Sequence, residues 1–588
     1  MKKYWRAEAG LFLGVWLALM VLGRTQLFRD PGTFWHTVMG RRMLSSRHLV
    51  YADPFSFTFA GRPWVPFEWL AECVMAVIHA VGGFDGLLLA TATTLAGLYD
   101  WLGHRLIRGG LHWLPTTLLV AFTIAVGASH FHARPHIGSM VFFAITCSLL
   151  CDFESGRIGL GRLSLIVVPL FVVWTNWHGA MLGGLATLGL AVSGWDLARM
   201  IGRDSPIANA RQSIPLWLLV IACGLTMLVN PYGIRLPATW LEIMGSPVVP
   251  RLIIEHAPPS PRKPEFWIIV ALGLGYAMVF LSTLPRWPRV TWLIPFVWFA
   301  LSLSRVRHSA LFGIAAMIAL AEMLPHSRLA TWLARPGRDL FRPGVEVPAP
   351  GRRRLPYRDW RPAILLPVVL VSCCVALQAG QVRVPILGRG WAGLDPTIWP
   401  VELLPELRRI DREHPQGARI FNDHVFGGFL IYHTPNLKVF IDDRCELYGD
   451  AWLDRFDRAG TIEPGLMEEW LEQYRIDYVL VETGAVFDRY ISEQPGWSPL
   501  GRSRAATLYG RVPAETHNDG RTKIAESASA RSTGASGRDK LGVKERACPP
   551  RFGSKSSGLS ETSWDRSEMS RPAESGFIPR RERPPRRT

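Results

Sequence analysis

Charged residues are scarce in this chain of 588: Asp, Glu, Lys and Arg make up 19%, against 49% apolar residues. That balance excludes an average soluble protein. Cysteine is sparse as well. Of the eight, Cys73, Cys147, Cys151, Cys223, Cys373 and Cys374 lie in apolar stretches, only Cys445 and Cys548 lie in polar ones, and no CxxC spacing occurs. A secreted disulfide scaffold and a cysteine metal site are both ruled out. No GxGxxG, Walker loop, HExxH or GxSxG stands in its required context, which removes the common nucleotide, zinc-protease and hydrolase readings. No tandem repeat is present.

What the chain does hold is apolar runs of membrane length, with 24 Trp, 44 Pro and 54 Gly, a mixture tolerated in polytopic membrane proteins. Eleven segments approach the roughly 17 to 25 apolar residues of a helical span. They lie near Ala9 to Leu22, Phe84 to Leu102, Trp113 to Ala128, Ile137 to Cys151, Leu163 to Asn176, Met181 to Leu197, Ile214 to Val229, Phe266 to Leu284, Val290 to Ser304, Ala310 to Leu324 and Pro362 to Leu377. Lys2, Lys3 and Arg6 precede the first, and no convincing cleavage site follows it. An uncleaved first span with a cytoplasmic N-terminus is expected.

Glu68 to Gly83 is short and carries Glu68, Glu72 and His79. It reads as a helix lying in the interface rather than a span. Alternation of the remaining spans then puts the nine arginines from Arg328 to Arg361 on the cytoplasmic side, in line with the positive-inside rule. The net charge of +17 therefore marks topology rather than nucleic acid, which is not expected as a partner.

The expected organisation is a transmembrane domain over residues 1–379, with a long first outer loop at 23–67 and the interfacial helix at 68–83. An extracytoplasmic α/β domain over 380–513 follows. Its strand-prone runs are Arg419 to Asn422, Lys438 to Asp442 and Asp477 to Glu482, with helical patterns at Pro400 to Glu413 and Gly465 to Tyr474, giving a partly parallel sheet. From Ala514 to Thr588 the chain has 16 Lys and Arg against 10 Asp and Glu and few apolar residues, so a disordered basic tail is expected.

Polar residues gather at the predicted outer ends of different spans. They are Asp30, His36 and Asp53 in the first loop, Glu68, Arg134 and His136, Asn176 and His178, Asn230, Glu255 and His256, and Arg305, Arg307 and His308. Polar groups at membrane depth are costly when unpaired, so their convergence points to function. Asp30 and Asp53 each precede proline and also read as helix caps. Asn, His and Trp at helix ends likewise serve as caps and interfacial anchors. An ionised carboxylate such as Asp30 can accept a hydroxyl proton. Arg134, Arg305 and Arg307 suit a phosphate or pyrophosphate. Asp30, Asp53 and His36 form a candidate ligand set for a divalent cation, although no pair has diagnostic spacing. In the outer domain, Asn422-Asp423-His424 and Ile441-Asp442-Asp443-Arg444 fall at strand ends, where open α/β sheets bind ligands and where Asp and Asn also cap helices.

The long first outer loop with an acidic residue soon after the first span resembles the GT-C fold class of polyprenyl-phosphate-dependent glycosyltransferases. The stretches DPGTFWHTVMGRRML from Asp30, DPFSFTFAGRPWVPFEWL from Asp53, RPHI, WTNWHG, NPYG and FNDHVFGGFLIYHTP…VFIDDRCELYG are similar to those of bacterial membrane proteins classed beside that group. The likeness runs from about Trp5 to Arg511. It implies a bacterial inner-membrane enzyme whose sugar donor sits on a lipid phosphate, with an extracytoplasmic acceptor, and by position it hands the general-base role to Asp30 alone. It also implies a juxtamembrane helix at Glu68 to Gly83. The adjacent acidic partner often found in the class is missing beside Asp30. Two rival functions are a transporter or flippase of lipid-linked saccharide, which would place charges near mid-span, and a non-catalytic assembly protein, which would not need eleven spans.

Overall fold

A computed structural model describes residues 7–335, 339–341 and 361–512. The predicted tail at 514–588 lies outside the described residues. Among those described, nine helices are long and apolar enough to cross a membrane, and two shorter apolar helices run over Val290–Ser304 and Ile364–Ala379. Each of the eleven apolar segments coincides with one of these helices. The protein is a polytopic α-helical membrane protein carrying a small mixed sheet in its C-terminal region.

The long loop over residues 23–67, expected on the outer side, is more ordered than a loop. After α1 (Ala7–Gln26) the chain turns into a second helix, α2 (Gly32–Ser46), and α3 (Trp69–Arg108) follows. Helices α2 and α3 approach so closely that a Cβ on Gly40 would lie 1.9 Å from the Glu72 carbonyl oxygen. Only glycine permits that contact. Within α3 the backbone breaks at Gly83, with φ 63° and ψ −146°, a conformation that side chains other than glycine's avoid. The break separates the segment expected to lie in the interface from the apolar run after it.

The region after the last apolar helix is pinned to α3 by a buried carboxylate. Asp85 accepts backbone N–H bonds from Gly390, Trp391 and Ala392 at 2.9, 2.9 and 2.6 Å. Beyond it, five strands form a sheet in the order β2-β1-β3-β5-β4. These are β1 (Arg419–Asn422), β2 (Lys438–Val439), β3 (Tyr478–Glu482), β4 (Trp497–Arg502) and β5 (Ala506–Arg511). The first three are mutually parallel and the last two antiparallel. The expected strand from Lys438 to Asp442 stops at Val439: Phe440 N–H shares its ladder bond to Ile420 O with the Asn422 Oδ1, and beyond it Asn422 Nδ2 takes up the Ile441 carbonyl oxygen. The hairpin of β4 and β5 was not anticipated, since Pro499 and Gly501 argue against a strand. Pro499 is accommodated because β4 is an edge. The opposite edge is covered by the first outer loop, where Phe57 N–H donates to Val439 O at 3.1 Å.

Two contacts lock that loop to the C-terminal region. Asp53 forms a fully buried ion triad with Arg444 and Asp442, at 2.8 and 2.6 Å, and Arg444 lies 4.7 Å from the Trp64 ring centroid. Removing one member of such a group leaves an uncompensated buried charge. The other contact is helix His424–His433, which the sequence reading left without a secondary-structure assignment. It packs on the chain just before α2, and a Cβ on Gly428 would lie 2.2 Å from the Pro31 carbonyl oxygen. Gly428→Ala is therefore expected to destabilise the folded protein by about 1 to 3 kcal/mol through overpacking. Thermal melting of the purified protein in detergent checks this, and an unchanged melting temperature would show the contact to be loose.

Candidate functional site

Asp30 sits in the turn between α1 and α2 and uses both carboxylate oxygens. Oδ1 accepts the Gly32 N–H at 2.7 Å, the helix-starting role that its position before Pro31 suggests. Oδ2 accepts from Arg134 Nη1 at 2.9 Å. A Cβ on Gly32 would meet the Arg134 guanidinium at 2.8 Å, so glycine lets the arginine reach across. Burial pulls the Arg134 guanidinium down, but Asp30, Asp443, Glu255 and Glu68 more than offset it and hold it above its ordinary value. It remains a full cation.

A group of imidazoles lies beside this pair. His130 Nδ1 and His132 Nε2 are each 3.5 Å from Glu255 Oε1, and His136, the first residue of its helix, places Nε2 2.6 Å from the His130 carbonyl oxygen. Burial pushes Glu255 up, yet His130 and Arg134 bring it well below the usual carboxylate range. One ligand atom each of Asp30, His132 and Glu255 lie within 4.8 Å of one another. The expected cation set of Asp30, Asp53 and His36 is not assembled. Asp53 is held by Arg444, Phe55 N–H and the Ser56 hydroxyl, because the C-terminal region, invisible to local sequence, supplies the arginine.

His36 belongs to a separate buried chain of acids and imidazoles. Its Nδ1 is 2.9 Å from Glu72 Oε1 and its Nε2 3.1 Å from Glu68 Oε2, while the other Glu68 oxygen is 3.2 Å from His178 Nε2. Burial pushes Glu68 up to about 8 and both His36 and His178 well below the ordinary imidazole value. At neutral pH the proton rests on Glu68 and both rings are neutral.

Arg307 completes the cationic side of the site with a short contact to His256 Nε2. Burial and the neighbouring Arg307 and Arg305 push His256 down to about 3. Neither Arg305 nor Arg307 has a carboxylate within ion-pair distance among the described residues. His308 turns away to the Leu301 carbonyl oxygen at 3.1 Å. Asn176 and Asn230 hold the framework: Asn176 accepts from Trp69 Nε1 and donates to Val172 O and Val229 O, and Asn230 caps its own turn.

His130, His132 and Glu446 were not singled out in the sequence as site residues, and Asp443 was marked only as a strand-end group of the outer domain, apart from the span-end cluster. The first two had a signal in the run of His130, His132 and His136 at the start of a helix. Asp443 and Glu446 come from the C-terminal region and meet the membrane region only in the fold, through Trp35 Nε1 to Asp443 Oδ1 at 2.7 Å and Trp64 Nε1 to Glu446 Oε1 at 2.8 Å. Burial pushes Asp443 up to about 8, with Asp30 adding to the rise and Arg134 opposing it.

No family model and no curated protein matches the chain. Among solved structures, the chain is similar to ArnT from Cupriavidus metallidurans in the apo state, with a TM-score of 0.43 and 14% identity over 85% of this chain and 97% of that one. It is similar also to ArnT from the same organism bound to undecaprenyl phosphate, with a TM-score of 0.42 and 13% identity over 86% and 98%. At these values the likeness assigns no activity.

The chain of acids and imidazoles makes stability depend on pH from both sides. An unfolded glutamate releases its proton near pH 4.3, whereas folded Glu68 holds it to about 8, so stability falls as pH rises between those values. His36 and His178 act oppositely, since the unfolded imidazoles take protons below about pH 6.5 that the folded ones refuse. Glu68→Gln is expected to flatten the alkaline decline of the melting temperature between pH 5 and 8. Parallel melting curves for the variant and the wild type would show that Glu68 is ionised in the folded protein.

Proposed function

We propose that the protein is a membrane glycosyltransferase that moves a sugar from a polyprenyl-phosphate donor to an acceptor on the side of the C-terminal region. The observation that carries this reading is the Asp30–Arg134 pair, set in a half-buried cluster with Arg305 and Arg307, which have no carboxylate within ion-pair distance among the described residues. One carboxylate suited to take a proton stands beside several guanidiniums suited to hold a phosphate. The resemblance of the first loop to the GT-C class supports the same reading.

The reaction then runs as a single inverting displacement. Asp30 Oδ2 takes the proton of an acceptor hydroxyl as its oxygen attacks the anomeric carbon. The bond from that carbon to the phosphate oxygen breaks, and the lipid phosphate leaves carrying the electron pair. Arg134, Arg305 and Arg307 stabilise the negative charge on the leaving group, a contribution that is large in a site shielded from water. Donor phosphate competes for the Arg134 guanidinium, which frees Asp30 Oδ2 to act as base. The fold thus couples donor binding to activation of the acceptor.

Asp30, His132 and Glu255 also suit a divalent cation, since Glu255 Oε1 and His132 Nδ1 are buried without hydrogen-bond partners. Bound there, such an ion would supply further positive charge toward the phosphate. On this reading the C-terminal region lies outside the cytoplasm and the protein in a bacterial inner membrane, in line with the arginine distribution among the loops.

Purified protein supplied with a labelled polyprenyl-phosphate sugar tests the proposal. Asp30→Asn is expected to lower the transfer rate by about 100-fold or more, with melting temperature retained. Full activity of that variant would remove Asp30 from catalysis, and absence of transfer by the wild type across lipid-linked sugars would overturn the reading as a whole.

A further inference from the structure

A second polar grouping lies on the outer surface and plays no part in the transfer site. It centres on Tyr432 and His433, at the end of helix His424–His433. The Arg41 guanidinium of α2 lies 5.8 Å from the Tyr432 ring centroid. His79, on the part of α3 before the Gly83 break, places Nε2 2.8 Å from the Tyr432 hydroxyl. Arg408 reaches His433 Nδ1 at 3.5 Å. Arg389 donates to the carbonyl oxygens of Val81 at 2.6 Å and Gln378 at 3.0 Å. Arg41 and Arg389 both act electrostatically on His79, and Arg41 and Arg408 both on Tyr432.

Three guanidiniums therefore border the His79–Tyr432–His433 group, and none of Arg41, Arg389 and Arg408 has a carboxylate within ion-pair distance among the described residues. Uncompensated like charges repel, so such a gathering suits an anion. Its height relative to the membrane follows from two chain features. Arg389 caps the carbonyl end of α3 at the Gly83 break, where the apolar run of that helix begins, and the last apolar helix, Ile364–Ala379, ends beside the same residue. The guanidiniums thus sit where apolar helices give way to polar chain, the level of lipid headgroups. One turn along α2 from Arg41, Leu44 is 46% exposed, an apolar neighbour that water does not favour and acyl chains do.

We propose that this junction of α2, the first part of α3 and the C-terminal region binds the phosphate of an anionic phospholipid in the adjacent leaflet, with an acyl chain lying along Leu44. The grouping offers no carboxylate to receive an ammonium, so an anionic headgroup is preferred to a zwitterionic one. The site is independent of the transfer reaction. By holding lipid at the seam, it anchors the C-terminal region at a set height above the membrane.

Full-length protein in nanodiscs of phosphatidylcholine with a minor fraction of phosphatidylglycerol tests the site, with retained lipid read by native mass spectrometry during stepwise delipidation. The wild type is expected to keep phosphatidylglycerol in preference to phosphatidylcholine. The double variant Arg41→Gln, Arg408→Gln is expected to lower that retention about tenfold, while Arg455→Gln, Arg458→Gln, exposed elsewhere on the same region, leaves it unchanged. Equal melting temperatures in pure phosphatidylcholine nanodiscs establish that both variants are folded. Indifference of the wild type to headgroup charge, or undiminished phosphatidylglycerol retention in the Arg41 and Arg408 variant, would overturn the proposal. Binding of inorganic phosphate to detergent-solubilised protein as tightly as the lipid would reassign the site to free anions.

Discussion

Charge neutralisation away from water is the constraint on which this structure depends. Removing an ion from water costs several kcal/mol even after relaxation, and the cost is offset only by a well-placed partner. Arg134 meets Asp30, Arg444 meets Asp53 and Asp442, Glu255 meets two histidines, and Glu68 keeps its proton between His36 and His178. Nearly every acidic group in the cluster is answered by a partner from a distant part of the chain. Arg305 and Arg307 are the departures, cations without a carboxylate within ion-pair distance among the described residues.

The glycines explain how such pairing is reached. Gly40 lets α2 lie against α3 backbone to backbone, Gly32 leaves room for the Arg134 guanidinium, and Gly428 lets the C-terminal region rest on Pro31. Each contact brings two chain segments closer than side chains would allow. The 23–67 segment is thereby packed between the apolar helices and the sheet. Its Trp35 and Trp64 reach up to Asp443 and Glu446, while Asp30 reaches across to Arg134.

A C-terminal region so placed is part of the site rather than an appendage. Asp443 is shifted by both Arg134 and Asp30, and Arg444 closes a charge triad with the first loop. The same region, through Tyr432, His433 and Arg408, reaches the seam where apolar helices end. The polar cluster around Asp30 and the group around Tyr432 thus border two faces of one contact between the first loop and the C-terminal region.

Apolar composition and run length by themselves determined the membrane architecture: all eleven marked segments are helical, and the parallel strands β1 and β3 stand where β-prone residues cluster. Such signals are local, because a span or a short strand is specified by the solvation of its own residues. The gathering of polar residues from the ends of different spans was also legible, as was the capping role of Asp30 before Pro31. Partnership was not. That Asp53 belongs to Arg444 rather than to Asp30 and His36, that His36 lies between two glutamates, and that His132 joins Asp30 and Glu255 were decided only when the helices packed. Pairing energies depend on distance in space between groups tens to hundreds of residues apart, and no local pattern records that distance.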